Sequence, residues 1–222
     1  MNDAENTVYD ALAAAGVLAV VVLDNADDAE PLGDALWEAG MRAVELALRT
    51  PASVEAAKRL RKHLPDLMLG LGTVLTPDLV RQGNDLGADF ALAPGCSSDV
   101  LDAAADVGMP FVPGVVTPSD IETAVRHGRK LLKFFPAETS GGVKHLTSMA
   151  APYLHLGLSY IPLGGLKQDN FGSYLELPIV PAVGGSWIAP KPAIADGDWA
   201  KVLQNARDAV EAAKTIVAAK AK

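Results

Sequence analysis

The sequence predicts an α/β protein of one domain over residues 1–222, a (β/α)8 TIM barrel with an extra N-terminal helix. Three observations support this fold. First, strand-like runs rich in Val, Leu and Phe alternate with helical stretches. Second, there are eight such runs, and third, they begin about 23 residues apart, which is close to the length of one βα unit. We place the strands at Val17–Leu23, Arg42–Leu48, Leu67–Thr73, Ala88–Ala93, Pro110–Gly114, Lys130–Phe135, Leu158–Leu163 and Pro178–Val183.

The intervening helices have recognisable start and stop signals. Three threonine–proline pairs each place an N-cap hydroxyl before a proline at the first helical position, namely Thr50-Pro51, Thr76-Pro77 and Thr117-Pro118. Apolar residues at helical spacing predict a last helix from Trp199 to Val217. A short helix around Glu5–Ala15, ended by Gly16, precedes the first strand and is the extra helix of the predicted barrel.

A doubly wound open sheet is the main alternative fold. Its usual marker is a G-x-G-x-x-G motif between the first strand and helix. The partial match at Gly70–Leu75 lacks the third glycine and follows the third strand. Phosphate-loop, zinc-protease and nucleophile-elbow motifs are also absent from the sequence. The barrel is therefore the favoured interpretation.

Composition and charge exclude several classes of function. Half of the residues are hydrophobic, which excludes a disordered chain, and 27 acidic against 19 basic residues give a net charge of −8. That charge disfavours nucleic acid and anionic membranes as partners. A single cysteine cannot form an internal disulfide, and the first ten residues show no apolar signal segment. We therefore expect a cytoplasmic protein without membrane spans.

Charged side chains fall on the predicted interior of the barrel. Because strand side chains alternate between faces, Val44, Leu46 and Leu48 pack against helices, whereas Glu45 and Arg49 face inward. By the same rule, the sixth strand directs Leu131, Lys133 and Phe135 inward, and the seventh directs Ser159, Ile161 and Leu163 inward. In the third strand we expect Leu67, Leu69, Leu71 and Thr73 to share the interior face, with Gly70 and Gly72 towards the helices.

Four polar side chains are therefore expected to converge at the C-terminal ends of the strands, where such barrels have their active sites: Glu45, Arg49, Thr73 and Lys133. A structural ion pair would explain one buried charge, but it explains a cluster of four polar residues poorly, because burying charges is costly. Burial favours the neutral, nucleophilic amine of a lysine, although a nearby carboxylate opposes this effect. The cluster predicts lysine-based carbonyl chemistry, with a carboxylate to move protons and an arginine to bind a substrate carboxylate.

Two glycine-rich loops indicate a phosphate site. Gly164-Gly165 follows the seventh strand, and Gly184-Gly185-Ser186 follows the eighth. Backbone N–H groups at these two loops are the usual phosphate ligands of this fold. Glycine pairs are also ordinary turn residues, but two pairs at the two expected loops favour phosphate binding.

These segments resemble the 2-keto-3-deoxy-6-phosphogluconate (KDPG) and 4-hydroxy-2-oxoglutarate (KHG) aldolase family over nearly the whole chain. The segments that carry the resemblance are Glu45–Thr50, Gly70–Leu75, Ala93–Gly95, Lys133–Glu138, Gly141–Lys144 and Gly184–Trp187. The resemblance implies a metal-free class I aldolase with no cofactor. It also implies a homotrimer that cleaves a phosphorylated 2-keto acid to pyruvate and glyceraldehyde 3-phosphate.

The resemblance also implies roles for individual residues. Lys133 would form the imine and Glu45 would act as acid and base, while Arg49 and Thr73 would hold the pyruvate carboxylate. Further substrate-binding positions would be Pro94, Phe135, Leu163, Gly164, Gly165, Gly185 and Ser186.

Three positions depart from the family pattern, and they bear on the choice of substrate. Ala47 and Leu163 replace threonines, and Ala19 replaces a proline. The loss of two hydroxyls leaves a KHG-preferring or phosphogalactonate-preferring aldolase open as an alternative. A phosphate-binding epimerase or isomerase, and a barrel that only binds an anionic metabolite, are further alternatives.

The histidines and the cysteine are not expected to be catalytic. His63, His127, His145 and His155 have no metal-binding spacing, and we interpret them as surface or capping residues. We expect Cys96 to be a small buried side chain rather than a nucleophile.

Overall fold

A computed structural model describes residues 3–220 of the chain. Within these residues, strands and helices alternate from the first helix to the last. The strands are β1 (Val17–Val21), β2 (Ala43–Ala47), β3 (Met68–Gly72), β4 (Phe90–Leu92), β5 (Phe111–Val112), β6 (Gly114–Val115), β7 (Leu131–Phe134), β8 (Ser159–Pro162) and β9 (Val183–Gly185). The helices are α1 (Asp3–Ala15), α2 (Ala29–Glu38), α3 (Ser53–His63), α4 (Pro77–Asp85), α5 (Ser98–Asp106), α6 (Pro118–Arg126), α7 (Gly142–Ala150), α8 (Phe171–Leu175), α9 (Lys191–Ala195) and α10 (Trp199–Lys220).

The strands form two parallel sheets, one in the order β5-β4-β3-β2-β1-β9 and the other in the order β6-β7-β8. Strands β5 and β6 are two parts of the predicted fifth strand, which is interrupted at Pro113 because proline has no N–H to donate. The Pro113 carbonyl still accepts from the Lys133 amide at 2.8 Å. Next to β9, the Tyr160 amide of β8 donates to the Ile179 carbonyl at 2.8 Å. The result is a curled parallel sheet.

The predicted position of the eighth strand is wrong by about one strand length. We expected it at Pro178–Val183, but β9 covers Val183–Gly185 and the preceding residues form turns. Pro178 and Pro181 cannot donate ladder hydrogen bonds, which explains why this apolar run is not a strand. The strand instead includes the glycines that the sequence analysis assigned to the following loop.

Two buried clusters lie on opposite faces of the sheet. The larger one joins strand residues such as Val44, Leu46, Leu132 and Phe134 to the surrounding helices. The smaller, inner cluster collects the other strand face and includes Leu18, Ala43, Phe90, Leu92, Val112, Leu131, Ile161 and Leu163. Val8 and Leu12 of α1 are also members of the inner cluster, so this helix packs against the interior of the curled sheet.

The predicted faces of β3 are wrong. Leu67, Leu69 and Leu71 belong to the outer cluster, against the helices. A Cβ atom on Gly70 would lie 2.4 Å from the Phe90 ring, and one on Gly72 would lie 2.1 Å from the Glu45 carboxylate, so both glycines face inward. The whole run is apolar and buried, and alternation therefore could not distinguish its two faces. For β2, β7 and β8 the predicted faces agree with the two clusters.

Candidate active site

A buried ion pair between Lys133 and Glu45 lies in the interior. Lys133 Nζ donates to Glu45 Oε1 at 2.9 Å, and the two residues are 5% and 2% exposed. The other carboxylate oxygen, Oε2, is buried and has no hydrogen-bond partner among residues 3–220. A buried acceptor without a partner is costly, which is typical of a group that meets a reactant. The alternation in β2 and β7 predicts that both side chains face the interior, and the structure places them there.

The pair fits because the neighbouring strand β3 lacks side chains at the contact. Glu45 is in register with Gly70 of β3, and Gly72 approaches the Glu45 carboxylate directly. Sequence reasoning missed this role of Gly72, because it assigned the glycines to the helix side. The signal that could have identified them is their spacing of two residues beside a strand with an inward glutamate.

The wall around Lys133 is aromatic and aliphatic. The Phe135 ring lies 5.1 Å from Lys133 Nζ, a distance at which a ring face attracts an ammonium group. Leu163 is 2% exposed and belongs to the inner cluster, against which Phe135 packs. This side of the site therefore offers carbon surface and no hydroxyl from position 163.

Arg49, Thr73 and Pro94 each follow a strand on the same edge of the sheet. The Arg49 side chain is exposed, and its guanidinium makes no ion pair or hydrogen bond with the described part of the chain. Thr73 is half-buried with φ +61°, so the alternation of β3 ends there. The half-buried Pro94 presents its carbonyl to Gly114, where a Cβ would come within 2.1 Å.

The two glycine loops lie side by side. Gly164 and Gly165 have φ of +95° and +85°, a conformation that favours glycine. A Cβ on Gly185 would lie 3.5 Å from the Leu166 carbonyl, which places β9 next to the loop after β8, and Ser186 is exposed.

Trp187 links these two loops. Its ring lies directly over Gly185, where a Cβ would be 2.2 Å away, and its Nε1 donates to Gln168 Oε1 at 3.2 Å. The ring also stacks on Phe171 with the centroids 5.5 Å apart. The two candidate phosphate loops are therefore held together by one side chain.

Glu138 supports the first glycine loop from the other side. Its amide donates to the Gly164 carbonyl at 3.0 Å, and its Cβ would lie 2.7 Å from a Cβ on Gly165. The buried Tyr174 donates its hydroxyl to the Glu138 carboxylate. Burial and then the Glu138 carboxylate raise the pKa of the Tyr174 phenol above its ordinary value, so this hydroxyl remains a donor.

The remaining titratable side chains do not gather around a metal. Within residues 3–220, no group of three or more His, Cys, Asp or Glu side chains could hold a metal ion.

Burial, and then the negative charge of Asp120, raise the pKa of the half-buried Cys96 thiol to about 11. No helix in the described range 3–220 has the length and apolar character needed to cross a membrane.

Comparison with known proteins agrees with this geometry. The family described as KDPG and KHG aldolase matches residues 8–205. The chain is 38% identical to the KHG/KDPG aldolase of Escherichia coli strain K12, over 89% of this chain and 92% of that protein. It is 39% identical to the 2-dehydro-3-deoxy-phosphogluconate aldolase of Pseudomonas aeruginosa, over 89% of each chain.

A solved structure shows the same fold. The KDPG aldolase of Legionella pneumophila, crystallised with pyruvate captured as a covalent carbinolamine intermediate, superimposes with a TM-score of 0.86 at 34% identity. The match covers 90% of this chain and 96% of that one. From the family match and these relatives together, the chain belongs to the KDPG and KHG aldolase family.

Proposed function

We propose that this protein is a class I aldolase that cleaves 2-dehydro-3-deoxy-6-phosphogluconate, or a close 2-keto-3-deoxy acid, to pyruvate and glyceraldehyde 3-phosphate. The observation that carries the proposal is the buried contact of 2.9 Å between Lys133 and Glu45. Relatives named for this activity and the carbinolamine captured in the Legionella enzyme support it.

The first step is imine formation. After Lys133 passes a proton to the Glu45 carboxylate, the Nζ lone pair attacks the C2 carbonyl carbon of the substrate. The resulting carbinolamine loses its oxygen as water, with Glu45 returning a proton to the departing hydroxyl. The product is an iminium between Nζ and C2, and its positive charge withdraws electrons from the C3–C4 bond.

Cleavage follows when a base removes the proton of the C4 hydroxyl. The C3–C4 bond breaks, its electron pair moves into the iminium to give an enamine, and C4 leaves as the aldehyde carbon of glyceraldehyde 3-phosphate. Glu45 is the base in this proposal, because Oε2 has no other partner in the described chain. Protonation of the enamine at C3 and addition of water then release pyruvate and the free lysine.

The other site residues orient the substrate. Arg49 and Thr73 bind the C1 carboxylate, and Pro94 and Phe135 enclose the pyruvate portion. The phosphate ligands in this proposal are Gly164, Gly165, Gly185 and Ser186. Leu163, which directly precedes Gly164 and belongs to the inner cluster, would face the middle of the substrate. The positive φ values at Gly164 and Gly165 and the adjacency of the two loops support the phosphate assignment.

Leu163 and Ala47 favour a second candidate, an aldolase that prefers 4-hydroxy-2-oxoglutarate or does not distinguish the gluconate and galactonate epimers. Leu163 presents carbon to the interior, so it offers no hydrogen bond to substrate hydroxyls. The E. coli relative is named for both the KHG and the KDPG substrates.

The rest of the proposal concerns architecture. We propose that residues 1–222 form one (β/α)8 barrel and that α1 is an extra helix that covers the end of the barrel at which the strands begin. The packing of Val8 and Leu12 in the inner cluster supports this role of α1. Family membership supports a cytoplasmic homotrimer that needs no metal or other cofactor.

Reductive trapping tests the proposal. Incubation with pyruvate and borohydride should reduce the imine and add one pyruvate-derived mass at Lys133. Lys133→Ala should give no adduct, whereas the control variant Lys130→Ala, at an exposed position before β7, should react like the wild type. An unmodified wild-type Lys133 would exclude the class I mechanism and favour an epimerase or isomerase.

Turnover of a second variant tests the role of the carboxylate. Glu45→Gln should still be trapped with pyruvate, although more slowly because Glu45 also serves imine formation. Its kcat should fall by about 10²–10⁴-fold, the usual contribution of a general acid–base group. A kcat near that of the wild type would remove Glu45 from the mechanism.

A further inference from the structure

Four polar or charged residues are fully buried within residues 3–220: Glu45, Lys133, Arg129 and Ser53. The first two form the reactive pair, and Arg129 pairs with Glu5 of α1. Ser53, at the first position of α3, is 1% exposed and takes part in neither contact. A buried hydroxyl is costly unless it is hydrogen-bonded, so its partners indicate what it does.

Ser53 closes the loop between β2 and α3. Its Oγ donates to the Ala47 carbonyl at 3.0 Å and accepts from the Thr50 amide at 3.1 Å. The Ser53 amide also donates to the Thr50 carbonyl at 3.2 Å. One side chain therefore connects the end of β2 with the turn that begins α3.

Thr50 ties the same loop to the neighbouring strand. Its Oγ1 donates to the carbonyl of Leu23, just after β1, at 2.5 Å and lies 2.9 Å from Ser53 Oγ. Leu23 is fully buried, so this anchor is itself fixed by the core. Ser53 thus ties the β2–α3 loop to the end of β2, and Thr50 ties it to the segment after β1.

The residue at the centre of this loop is Arg49. Its amide donates to the Ala47 carbonyl at 2.9 Å, the same oxygen that Ser53 uses. Its backbone is therefore fixed by residues 47, 50 and 53, while its guanidinium is exposed and unpaired among residues 3–220. A fixed attachment point with an unpaired charged end is the arrangement expected of a preorganised anion ligand.

We infer that Ser53, acting with Thr50, is a positioning residue that fixes Arg49 for recognition of the carboxylate of the 2-keto acid. This inference rests on the proposed function, in which Arg49 binds that carboxylate. Loss of one neutral hydrogen bond typically changes an equilibrium by about 3- to 10-fold, so an effect of that size is expected on carboxylate recognition.

The experiment compares pyruvate with methyl pyruvate, which has the same ketone and no negative charge. Borohydride trapping at Lys133, measured by intact mass against ligand concentration, gives a half-saturating concentration for each compound. We expect the wild type to prefer pyruvate and Arg49→Ala to lose that preference. Ser53→Ala should reduce the preference by about 3- to 10-fold, whereas Ser119→Ala, an exposed serine in the first turn of α6, should not.

The ratio of the half-saturating concentrations of methyl pyruvate and pyruvate separates positioning of Arg49 from general damage to the fold. A distorted barrel would weaken the binding of both compounds alike and leave this ratio unchanged. Adding Ser53→Ala to Arg49→Ala should change the ratio no further. An unchanged ratio in Ser53→Ala, or an equal loss for both compounds, would overturn the inference. Should Ser53→Ala fail to fold, Thr50→Val should reduce the ratio and Thr50→Ser should preserve it, and equal ratios in these two variants would overturn the inference as well.

Failure of the proposed function gives a different result. A wild-type Lys133 that is trapped by neither compound would overturn the aldolase mechanism itself. Trapping that is indifferent to the carboxylate, in the wild type and in Arg49→Ala, would leave the imine chemistry intact but overturn the role of Arg49, and with it that of Ser53.

Discussion

Substitution of Gly72 tests how closely the interior is packed around the Lys133–Glu45 ion pair. In Gly72→Ala the new Cβ would lie 2.1 Å from Glu45 Oε1 and 2.8 Å from the Glu45 Cδ and Cγ atoms. An ordinary contact needs about 3.5 Å, so the carboxylate must move by roughly 1.4 Å. We expect a displacement of that size to disturb the present hydrogen bond of 2.9 Å to Lys133.

We expect the displacement to reduce kcat by about 10²-fold, the cost that a misplacement of about 1 Å typically has in a catalytic group. Trapping of pyruvate at Lys133 should persist at a reduced rate, because the lysine is still present although the carboxylate that exchanges protons with it has moved. The assay is steady-state cleavage alongside borohydride trapping, with thermal unfolding to confirm that the variant is folded.

Gly83→Ala is the matched control. Gly83 lies in helix α4, and a Cβ there would meet the ends of two flexible side chains, Leu71 at 3.1 Å and Met109 at 3.8 Å. This variant should keep the wild-type kcat. Wild-type kcat in a folded Gly72→Ala enzyme would show that the position of the Glu45 carboxylate does not limit the reaction.

Three further predictions follow from other parts of the site. Leu163→Thr should raise kcat/KM for one hydroxylated epimer over the other by about 10- to 200-fold, the selectivity expected for one buried hydrogen bond. The assay compares the gluconate and galactonate substrates with 4-hydroxy-2-oxoglutarate, and a strong wild-type preference that the substitution leaves unchanged would contradict this role of Leu163. Tyr174→Phe removes the donor to Glu138 and should raise KM for the phosphorylated substrate while pyruvate trapping stays normal; an equal change in both assays would argue against support of the phosphate loop. Burial and Asp120 raise the pKa of the Cys96 thiol from 9.0 to about 11, so iodoacetamide should label Cys96 at pH 8 about 100-fold more slowly than an unperturbed thiol. The labelling rate should rise up to about pH 11, and rapid labelling at pH 8 would contradict the raised pKa.

The sequence predicts the interior placement of Lys133 and Glu45 because the alternation in β2 and β7 is unambiguous. Val44 and Leu46 are clearly apolar beside Glu45, and Leu132 and Phe134 are clearly apolar beside Lys133. Each charged residue therefore has one interpretation, and the structure places both of them in the interior. Where one face of a strand carries a charge between clearly apolar neighbours, periodicity alone shows which face the charged side chain occupies.

Prediction fails where both faces of a strand are apolar or where proline interrupts the ladder. In β3, leucine and glycine alternate and both faces are buried, so size could not show which face is the interior. The Pro178–Val183 run is apolar enough for a strand, but its prolines move β9 to the following residues. The role of Ser53 depends on three carbonyl and amide partners that only the folded loop brings together.

The packing of α1 against the interior has a consequence for the order in which the chain can assemble. Glu5 contacts Arg129, which lies 124 residues later, and the inner cluster that receives Val8 and Leu12 includes Ile161 and Leu163. At about 5–20 residues per second, ribosomal synthesis delivers Arg129 roughly 6–25 s after Glu5. During that interval part of the inner cluster that packs against α1 is still missing, because Leu131, Ile161 and Leu163 have not yet been made. The first helix to be synthesised therefore completes its native contacts only after β8 has been made.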